Sequence, residues 1–262
     1  MKKINKTPGP NALTHFAANN PTARWEPDFK DENGGDDYHA IRQQIFDDQA
    51  GLCAYCETKV DNLPINKQRI EHFHSKSDDS NSSQNWGLDW NNIIGVCIGG
   101  EDADKSKHPR PANLSCDAHK NHLISKEHLS AQCEGYLLNP LNISATPCLF
   151  NLDKRTGELL PNDTVCQQVA GIENNFSSVR KLVEETIKAL NINCDRLKDQ
   201  RLAVRNEYNR QVKAARKKKD REVFTRMAVQ WFQNKWPSFF TTRRLLLGQY
   251  AEAYLETIDY NG

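Results

Sequence analysis

Cys53-Ala54-Tyr55-Cys56 opens the part of the chain that decides the fold, and three further stretches complete it: Arg69-Ile70-Glu71-His72-Phe73-His74, Trp90-Asn91-Asn92-Ile93-Ile94-Gly95-Val96-Cys97 and Cys116-Asp117-Ala118-His119-Lys120. Two cysteines separated by two residues can bind one zinc ion from a tight turn, and later ligands can close a tetrahedral site. The spacing predicts a structural zinc site that uses Cys53, Cys56 and Cys116. Its fourth ligand stays open between Cys97 and His119, because eighteen residues separate Cys97 from Cys116 where a second tight pair has two.

Glu71, His72 and Asn92 lie between the first and last of these cysteines. A neutral imidazole can take a proton from water near neutral pH, and an adjacent carboxylate can hold a hard divalent cation. Neighbouring residues in a strand point to opposite faces, so Glu71 and His72 can serve one site only where the strand bends or twists. Asn92 can brace a bent loop through its two-sided amide. The pattern predicts hydrolytic chemistry beside a zinc site.

The composition is that of a soluble protein: 37% of the 262 residues are hydrophobic, and the mean hydropathy is -0.77. No segment approaches the roughly 20 apolar residues that span a bilayer, and Met1 to Pro10 has no apolar signal segment. We therefore expect a cytoplasmic protein without a membrane partner. The four remaining cysteines are scattered singly, which is typical of reduced thiols rather than of a disulfide framework: Cys133, Cys148, Cys166 and Cys194.

Charge is distributed unevenly, although the net charge is only +1. Residues 26–48 carry eight acidic side chains against two basic ones, and residues 196–226 carry twelve basic side chains against four acidic ones. The densest basic run is Arg216-Lys217-Lys218-Lys219. Such a run on a helix can follow a phosphate backbone, but it is equally typical of a solvated helix face or of a surface that pairs with an acidic block.

The chain divides into three predicted parts: an N-terminal arm and helix (1–50), the zinc-bound core (51–125) and a C-terminal region (126–262) with a hairpin and helices. Ile41 and Ile45 recur at helical spacing and predict a helix over Tyr38–Gln49. Short strands are predicted at Leu137-Leu138 and Cys148–Phe150, with a hairpin turn at Asp153–Gly157. Apolar residues with a 3.6 period predict helices over residues 179–190, 197–212 and 223–232, the last stopped by Pro237. The fold class is therefore α+β and mainly helical.

The ordered series Cys-x2-Cys, acid-His, Asn-x4-Cys and Cys-Asp-x2-Lys resembles the HNH, or ββα-metal (His-Me finger), nucleases, in which a zinc-clamped hairpin and helix carry the active site. The segments Gln49–Glu57 and Ile70–Phe73 are more closely similar to the PtuB-type HNH subunits of Septu anti-phage systems, some of which are associated with retrons. Ala23-Arg24-Trp25, Leu137–Pro140 and Glu185–Asn191 also look like family landmarks. The resemblance covers most of residues 1–205.

The resemblance implies a role for each matching residue. His72 would be the general base, Glu71 a ligand of a catalytic Mg²⁺ or Mn²⁺, and Asn92 the brace of the histidine loop. The family usually has Asn or His directly after the last zinc cysteine, whereas this chain has Asp117, so the nearby His119 and His122 compete with it for the metal. The side chains expected to contact nucleic acid are His74, Lys76, Arg216, Lys217, Lys218 and Lys219.

The resemblance also implies a function and partners. The protein would hydrolyse phosphodiester bonds as the nuclease of an anti-phage complex, held by an ATPase of the PtuA type that docks on the N-terminal part. A retron reverse transcriptase and its msDNA are further expected partners. The alternative interpretation is a zinc-stabilised nucleic-acid-binding or interaction subunit without its own catalysis.

Overall fold

The computed structural model describes residues 1–81 and 83–262, and these residues form two small antiparallel sheets among nine α-helices. The observed class is α+β and mainly helical, as the sequence predicted. The strands are β1 (Gln68–His72), β2 (Ile93–Cys97), β3 (Phe150–Leu152) and β4 (Leu159–Pro161). The helices are α1 (Ala12–Asn19), α2 (Asp36–Asp48), α3 (Cys116–Ser125), α4 (Asp163–Gln168), α5 (Val179–Ala189), α6 (Asp195–Lys217), α7 (Val223–Phe232), α8 (Phe240–Leu247) and α9 (Gln249–Thr257).

Strands β1 and β2 and helix α3 form the unit that carries the candidate site. The two strands pair antiparallel, with Gln68 opposite Cys97 and His72 opposite Ile93. All five residues of β2 are buried, which explains its continuous run of apolar and small side chains. Helix α3 packs against β2, so its first residues face the end of the hairpin.

The two faces of β1 look toward different parts of the molecule. Phe73, just beyond the strand, belongs to the large central apolar cluster, and Glu71 contacts helix α3 on the same side. Ile70 packs instead against the apolar cluster of the N-terminal arm, and His72 contacts Trp25 of that cluster. This alternation follows from the two-residue period of a strand. Glu71 and His72 therefore project from opposite faces.

Gln49 supports the middle of β2 in place of a third strand. Its side-chain amide donates to the Gly95 carbonyl at 2.8 Å, and its side-chain oxygen accepts from the Gly95 N–H at 2.7 Å. Gly95 has no side chain for a packing reason, because a Cβ there would lie 2.7 Å from the Phe46 ring. The end of α2 can thus lie directly on the strand.

Three apolar clusters hold the structure together. The largest joins residues from all three parts of the chain, including Phe46, Tyr55, Ile94, Leu182 and Phe239. A second cluster joins α7, α8 and α9 to Leu52, and a third joins the arm to Trp90 and Ile93. The hairpin and α3 are therefore embedded in a shared core rather than standing alone around a metal.

Some elements differ from the sequence prediction. Leu137-Leu138 form no strand: Leu137 makes a single bridge with Glu134, and the Leu138 N–H donates to the Thr186 hydroxyl at 2.9 Å. The Asp153–Gly157 turn does connect β3 and β4. Helix α7 covers the predicted residues 223–232, and α1, α4, α8 and α9 were not anticipated. Among the described residues, no helix combines the length and the apolar character needed to cross a bilayer.

Candidate active site and metal centre

Four buried cysteine sulfurs converge at one end of the hairpin. The sulfurs of Cys53, Cys56, Cys97 and Cys116 all lie within 4.8 Å of one another. The Cys53–Cys116, Cys56–Cys97 and Cys97–Cys116 distances are 3.9, 3.7 and 3.8 Å. A zinc ion with four Zn–S bonds of about 2.3 Å in tetrahedral geometry requires sulfur separations of about 3.8 Å. These four residues can therefore hold a metal ion such as zinc.

The four cysteines come from three separate parts of the fold. Cys53 and Cys56 lie in one turn, which is closed by the Cys53 N–H bonding to the Thr58 carbonyl at 2.9 Å. The Ala54 N–H donates to the Gly95 carbonyl at 2.9 Å and so fixes this turn on β2. Cys97 ends β2 and Cys116 begins α3. Hence 18 intervening residues do not prevent these two cysteines from meeting.

The four sulfurs strongly affect one another's protonation. Complete burial raises the pKa of the Cys53 thiol well above its ordinary value, so a proton stays on that sulfur unless a cation replaces it. Hydrogen bonds from the other three thiols, that of Cys116 first, instead hold the pKa of Cys56 well below its ordinary value. The Gly99 N–H also points at the Cys97 sulfur, at 3.4 Å. Donors of this kind orient and stabilise metal-bound thiolates.

His119 is not part of this sulfur cluster. Its Nδ1 lies 2.8 Å from the Ala189 carbonyl, on the side of α3 that faces α5. The alternative in which His119 replaces Cys97 as the fourth ligand is therefore not what the structure assembles.

Glu71 and Asp117 form an acidic pair where β1 meets α3. Each residue is only 7% exposed, and the negative charge of Asp117 acts on the Glu71 carboxyl. The Lys120 ammonium bonds to the Glu71 carboxyl and donates to the carbonyls of His72 and Phe73, each at 2.9 Å. Lys120 thus ties α3 to the end of β1 with three hydrogen bonds.

The acidic pair carries a large electrostatic perturbation. Burial, together with the nearby charge of Asp117 and against the pull of Lys120, raises the pKa of Glu71 to about 8. Arg69, two residues earlier on the same face of β1, forms a bidentate pair with Glu101 at 2.9 and 2.6 Å and lies 3.8 Å from the Asp117 carboxylate. Lys120 and Arg69 offset part of the repulsion between the two acids, and the raised pKa of Glu71 means that the remainder favours a proton on its carboxyl.

His72 lies on the opposite face, at the last position of β1. Its Nε2 is 3.1 Å from the Gly87 carbonyl, and its ring stands nearly perpendicular to the Trp25 ring with the centroids 4.8 Å apart. Burial lowers the pKa of His72 to about 4, so the ring is neutral at physiological pH. Within residues 1–81 and 83–262, no hydrogen bond joins the His72 ring to Glu71 or Asp117.

Asn92 connects the two sides of the loop between β1 and β2. Its side-chain amide donates to the carbonyls of His74 and Trp86 at 2.9 and 2.8 Å, and its oxygen accepts from the His74 N–H at 2.8 Å. Asn92 thereby holds the two ends of this loop together, and this fixes the path of the backbone after His72.

His74 does not face the surface, which corrects the expectation that it contacts phosphate. Its ring stacks on Trp86 with the centroids 3.9 Å apart, and its two nitrogens lie 2.8 Å from Glu134 and 2.7 Å from Asp78. Both ring nitrogens are occupied by carboxylates. His74 is therefore a structural link between the loop and the segment that carries Glu134.

The predicted basic contacts are on the surface. Lys76 is exposed but bonds at 2.9 Å to Glu26 of the N-terminal arm. Arg216, Lys217, Lys218 and Lys219 are all exposed at the end of α6 and just beyond it. The sequence predicted no role for two residues of the site. Lys120 is the last residue of the Cys-Asp-x2-Lys motif, and Trp25 lies 47 positions before His72 in the chain.

Comparison with known proteins identifies the class of this protein. No model of a known protein family matches the chain. A protein of Escherichia coli named as the putative HNH endonuclease of retron Ec83 is 35% identical over 245 residues, which cover 93% of this chain and 92% of the relative. The likeness covers most of the chain, and the class that it defines is a nuclease. The chain belongs to the family of HNH endonucleases. The narrower kinship with Septu subunits stays a prediction.

Proposed function

We propose that the protein is a metal-dependent endonuclease that hydrolyses nucleic-acid phosphodiester bonds with His72 as general base. The observation that carries the proposal is the Glu71–Asp117 pair, buried beside the four-cysteine cluster and next in sequence to a neutral histidine. Surface carboxylates are common, whereas buried carboxylate pairs with a strongly shifted pKa cluster at functional sites, even where cations such as Lys120 offset part of their charge.

The residues present fit both of the implied metals. The sulfur spacing fits zinc, as described above, and its role would be to fix α3 on the hairpin. Glu71 and Asp117 would hold Mg²⁺ or Mn²⁺, since hard cations prefer carboxylate oxygens and often use only one or two of them. When bound, that cation would neutralise charge on the phosphate and on the departing oxygen.

The chain's own residues would supply the remaining chemistry. His72 takes a proton from water; the water oxygen forms a bond to phosphorus as the bond to the 3′ oxygen breaks, and that oxygen is protonated from solvent. The products carry 5′-phosphate and 3′-hydroxyl ends. A phosphate bound at the end of β1 would have to reach His72 on one face of the strand and the acidic pair on the other. Asn92 fixes the course of the chain beyond β1, and Lys120 holds the strand end on α3.

Replacing His72 tests the proposal directly. His72→Gln keeps a polar side chain of similar reach but cannot act as the base, so we expect plasmid cleavage to fall by about 10² to 10⁴ while the thermal unfolding midpoint changes little. His15→Gln, on the exposed surface of α1, is the matched control and should cleave like the parent. Cleavage by His72→Gln at the parent rate would exclude this residue as the base and favour a binding module whose activity lies elsewhere.

Metal dependence provides a second test of the acidic pair. After treatment with EDTA, activity should return on addition of Mg²⁺ or Mn²⁺ and should not return with zinc alone. Glu71→Gln should require a higher Mg²⁺ concentration for half-maximal cleavage. An unchanged requirement would show that Glu71 is not a ligand.

We further propose that the nuclease works in a retron-linked anti-phage complex with an ATPase of the PtuA type, a reverse transcriptase and its msDNA. The name of the relative supports the retron context. The acidic N-terminal residues Asp31, Glu32 and Asp36 are exposed and leave a charged surface available for docking. The exposed basic run 216–219 would contact the nucleic acid.

Co-expression with the proposed ATPase of the PtuA type tests the partnership. A tagged nuclease should retain the ATPase at physiological salt, and replacing Asp31, Glu32 and Asp36 by Asn or Gln should weaken the complex. Failure of the parent proteins to co-purify would contradict the docking proposal without affecting the proposed chemistry.

A further inference from the structure

The N-terminal arm supplies a wall for the candidate general base. Trp25 is 5% exposed, and its ring stands at 86° to the His72 ring with a centroid distance of 4.8 Å. Trp25 itself is held by Phe29 and Tyr38, whose ring centroids lie 5.2 and 5.9 Å away. Packing on several sides leaves a large rigid side chain little freedom. The wall beside His72 is therefore stiff.

The arm is also tied to the loop whose Gly87 carbonyl contacts the imidazole. The Asn85 amide donates to the carbonyls of Pro21 and Ala23 at 3.0 and 2.8 Å. A Cβ on Gly87 would lie 3.6 Å from the Trp25 Cβ, so arm and loop are in close approach at this point. Trp25 and the Gly87 carbonyl thus hold a fixed relation to each other.

The contact with the Gly87 carbonyl determines which nitrogen of His72 carries the proton. A carbonyl oxygen only accepts hydrogen bonds, so Nε2, at 3.1 Å from the Gly87 oxygen, must carry the hydrogen. In a neutral ring the other nitrogen, Nδ1, then holds the lone pair. Nδ1 makes no hydrogen bond with any residue of the described chain. It is the atom available to take a proton from water.

We propose that Trp25 is a positioning residue, which together with the Gly87 carbonyl holds the His72 ring with Nδ1 directed at the attacking water. The inference rests on the proposed function, because it assigns Trp25 to the same general base. A ring without this wall can rotate about its side-chain bonds, and misplacement of a catalytic group by about 1 Å can lower a rate about 10²-fold.

The kinetic experiment compares two replacements of Trp25 with a core control. Trp25→Leu should lower kcat for plasmid cleavage by about 10- to 100-fold with KM unchanged, whereas Trp25→Phe retains an aromatic wall and should stay within about five-fold of the parent. Leu13→Ala removes a fully buried side chain from the same apolar cluster and should lower the unfolding midpoint while leaving kcat at the parent value. A parallel loss of kcat in Leu13→Ala would assign the effect to general destabilisation and overturn the proposal.

A spectroscopic experiment needs no replacement of Trp25. In a long-range ¹H–¹⁵N spectrum of the parent protein near neutral pH, with the His72 signals assigned by their loss in His72→Gln, His72 should be protonated at Nε2 alone. Proton occupancy at Nδ1 would overturn the proposal even if Trp25→Leu did not fold. Parent activity in Trp25→Leu combined with inactive His72→Gln would also overturn it and leave the proposed function intact. Parent activity in His72→Gln would refute both.

Discussion

Replacing Glu71 by Gln should change how the stability of the protein depends on pH. The pKa of Glu71 is raised to about 8 in the folded protein because the group is buried beside Asp117. The pKa of a glutamate in an unfolded chain is about 4.3. Between these two values the folded protein binds more protons than the unfolded chain. The free energy of unfolding must therefore fall as pH rises through this interval.

The size of the effect follows from the shift. One pKa unit corresponds to about 1.4 kcal/mol, so the Glu71 contribution should decrease by about 4 kcal/mol from about pH 5 to about pH 8. His72 acts in the opposite direction, because its pKa is lowered to about 4 in the folded state. The contribution of His72 to the free energy of unfolding increases with pH until the pH reaches the pKa of histidine in the unfolded chain, about 6.5. Below about pH 6.5, the Glu71 and His72 contributions to the free energy of unfolding of the parent therefore change in opposite directions with pH. Above that pH only the Glu71 contribution still changes.

The assay is urea unfolding of the parent and Glu71→Gln at intervals between about pH 5 and about pH 8, without Mg²⁺, followed by the fluorescence of the five tryptophans. The stability of the parent minus that of Glu71→Gln should fall steadily with pH, since glutamine does not titrate and the His72 slope cancels in the difference. Adding Mg²⁺ should flatten the fall, because the cation binds the ionised carboxylate. A difference that is constant or rises with pH would refute the reasoning.

Three further predictions concern the metal centre, the hairpin and the basic run. Cys97→Ser should lose the bound zinc in native mass spectrometry and unfold at a lower temperature, whereas Cys166→Ser, away from the cluster, should keep the metal; retention of zinc by Cys97→Ser would contradict the four-sulfur site. Gln49→Ala leaves the buried N–H of Gly95 without its partner, while the Gly95 carbonyl keeps the Ala54 N–H, and should lower the free energy of unfolding by about 1 to 3 kcal/mol in the same urea assay; a change below about 0.5 kcal/mol would be inconsistent with this support. Replacing residues 216–219 by Gln should weaken duplex binding and reduce the slope of log K against log salt by up to about 3.6, at about 0.9 for each phosphate that a basic side chain neutralises; an unchanged slope would show that these side chains do not bind phosphate.

The zinc cluster shows where spacing was informative and where it was not. Cys53 and Cys56 could be paired from sequence, because a separation of two residues permits only a local turn. The choice between Cys97 and His119 could not be made, because it depends on how the end of β2 meets the start of α3. Eighteen intervening residues place no useful limit on that distance.

The acidic pair shows the same division. Glu71 and Asp117 could be singled out from their positions beside His72 and Cys116, but the pKa of Glu71 depends on burial and on Lys120, which only the packed structure supplies. Trp25 gave no signal by spacing, since its contact with His72 joins distant parts of the chain. His74 looked equivalent to His72 in sequence, yet its two carboxylate partners come from residues 4 and 60 positions away.

The amino-acid sequence by itself determined which chemical groups are available and the local periodicity that makes strands and helices. The hydrophobic pattern thus indicated the helices α5, α6 and α7, and the cysteine turn indicated the metal. Only the tertiary structure decided that Glu71 faces α3 while His72 faces the arm, and which side chains close around each. The reason is physical: local conformation depends on neighbours along the chain, whereas burial, charge coupling and ligand geometry depend on distances between segments that the chain brings together only on folding.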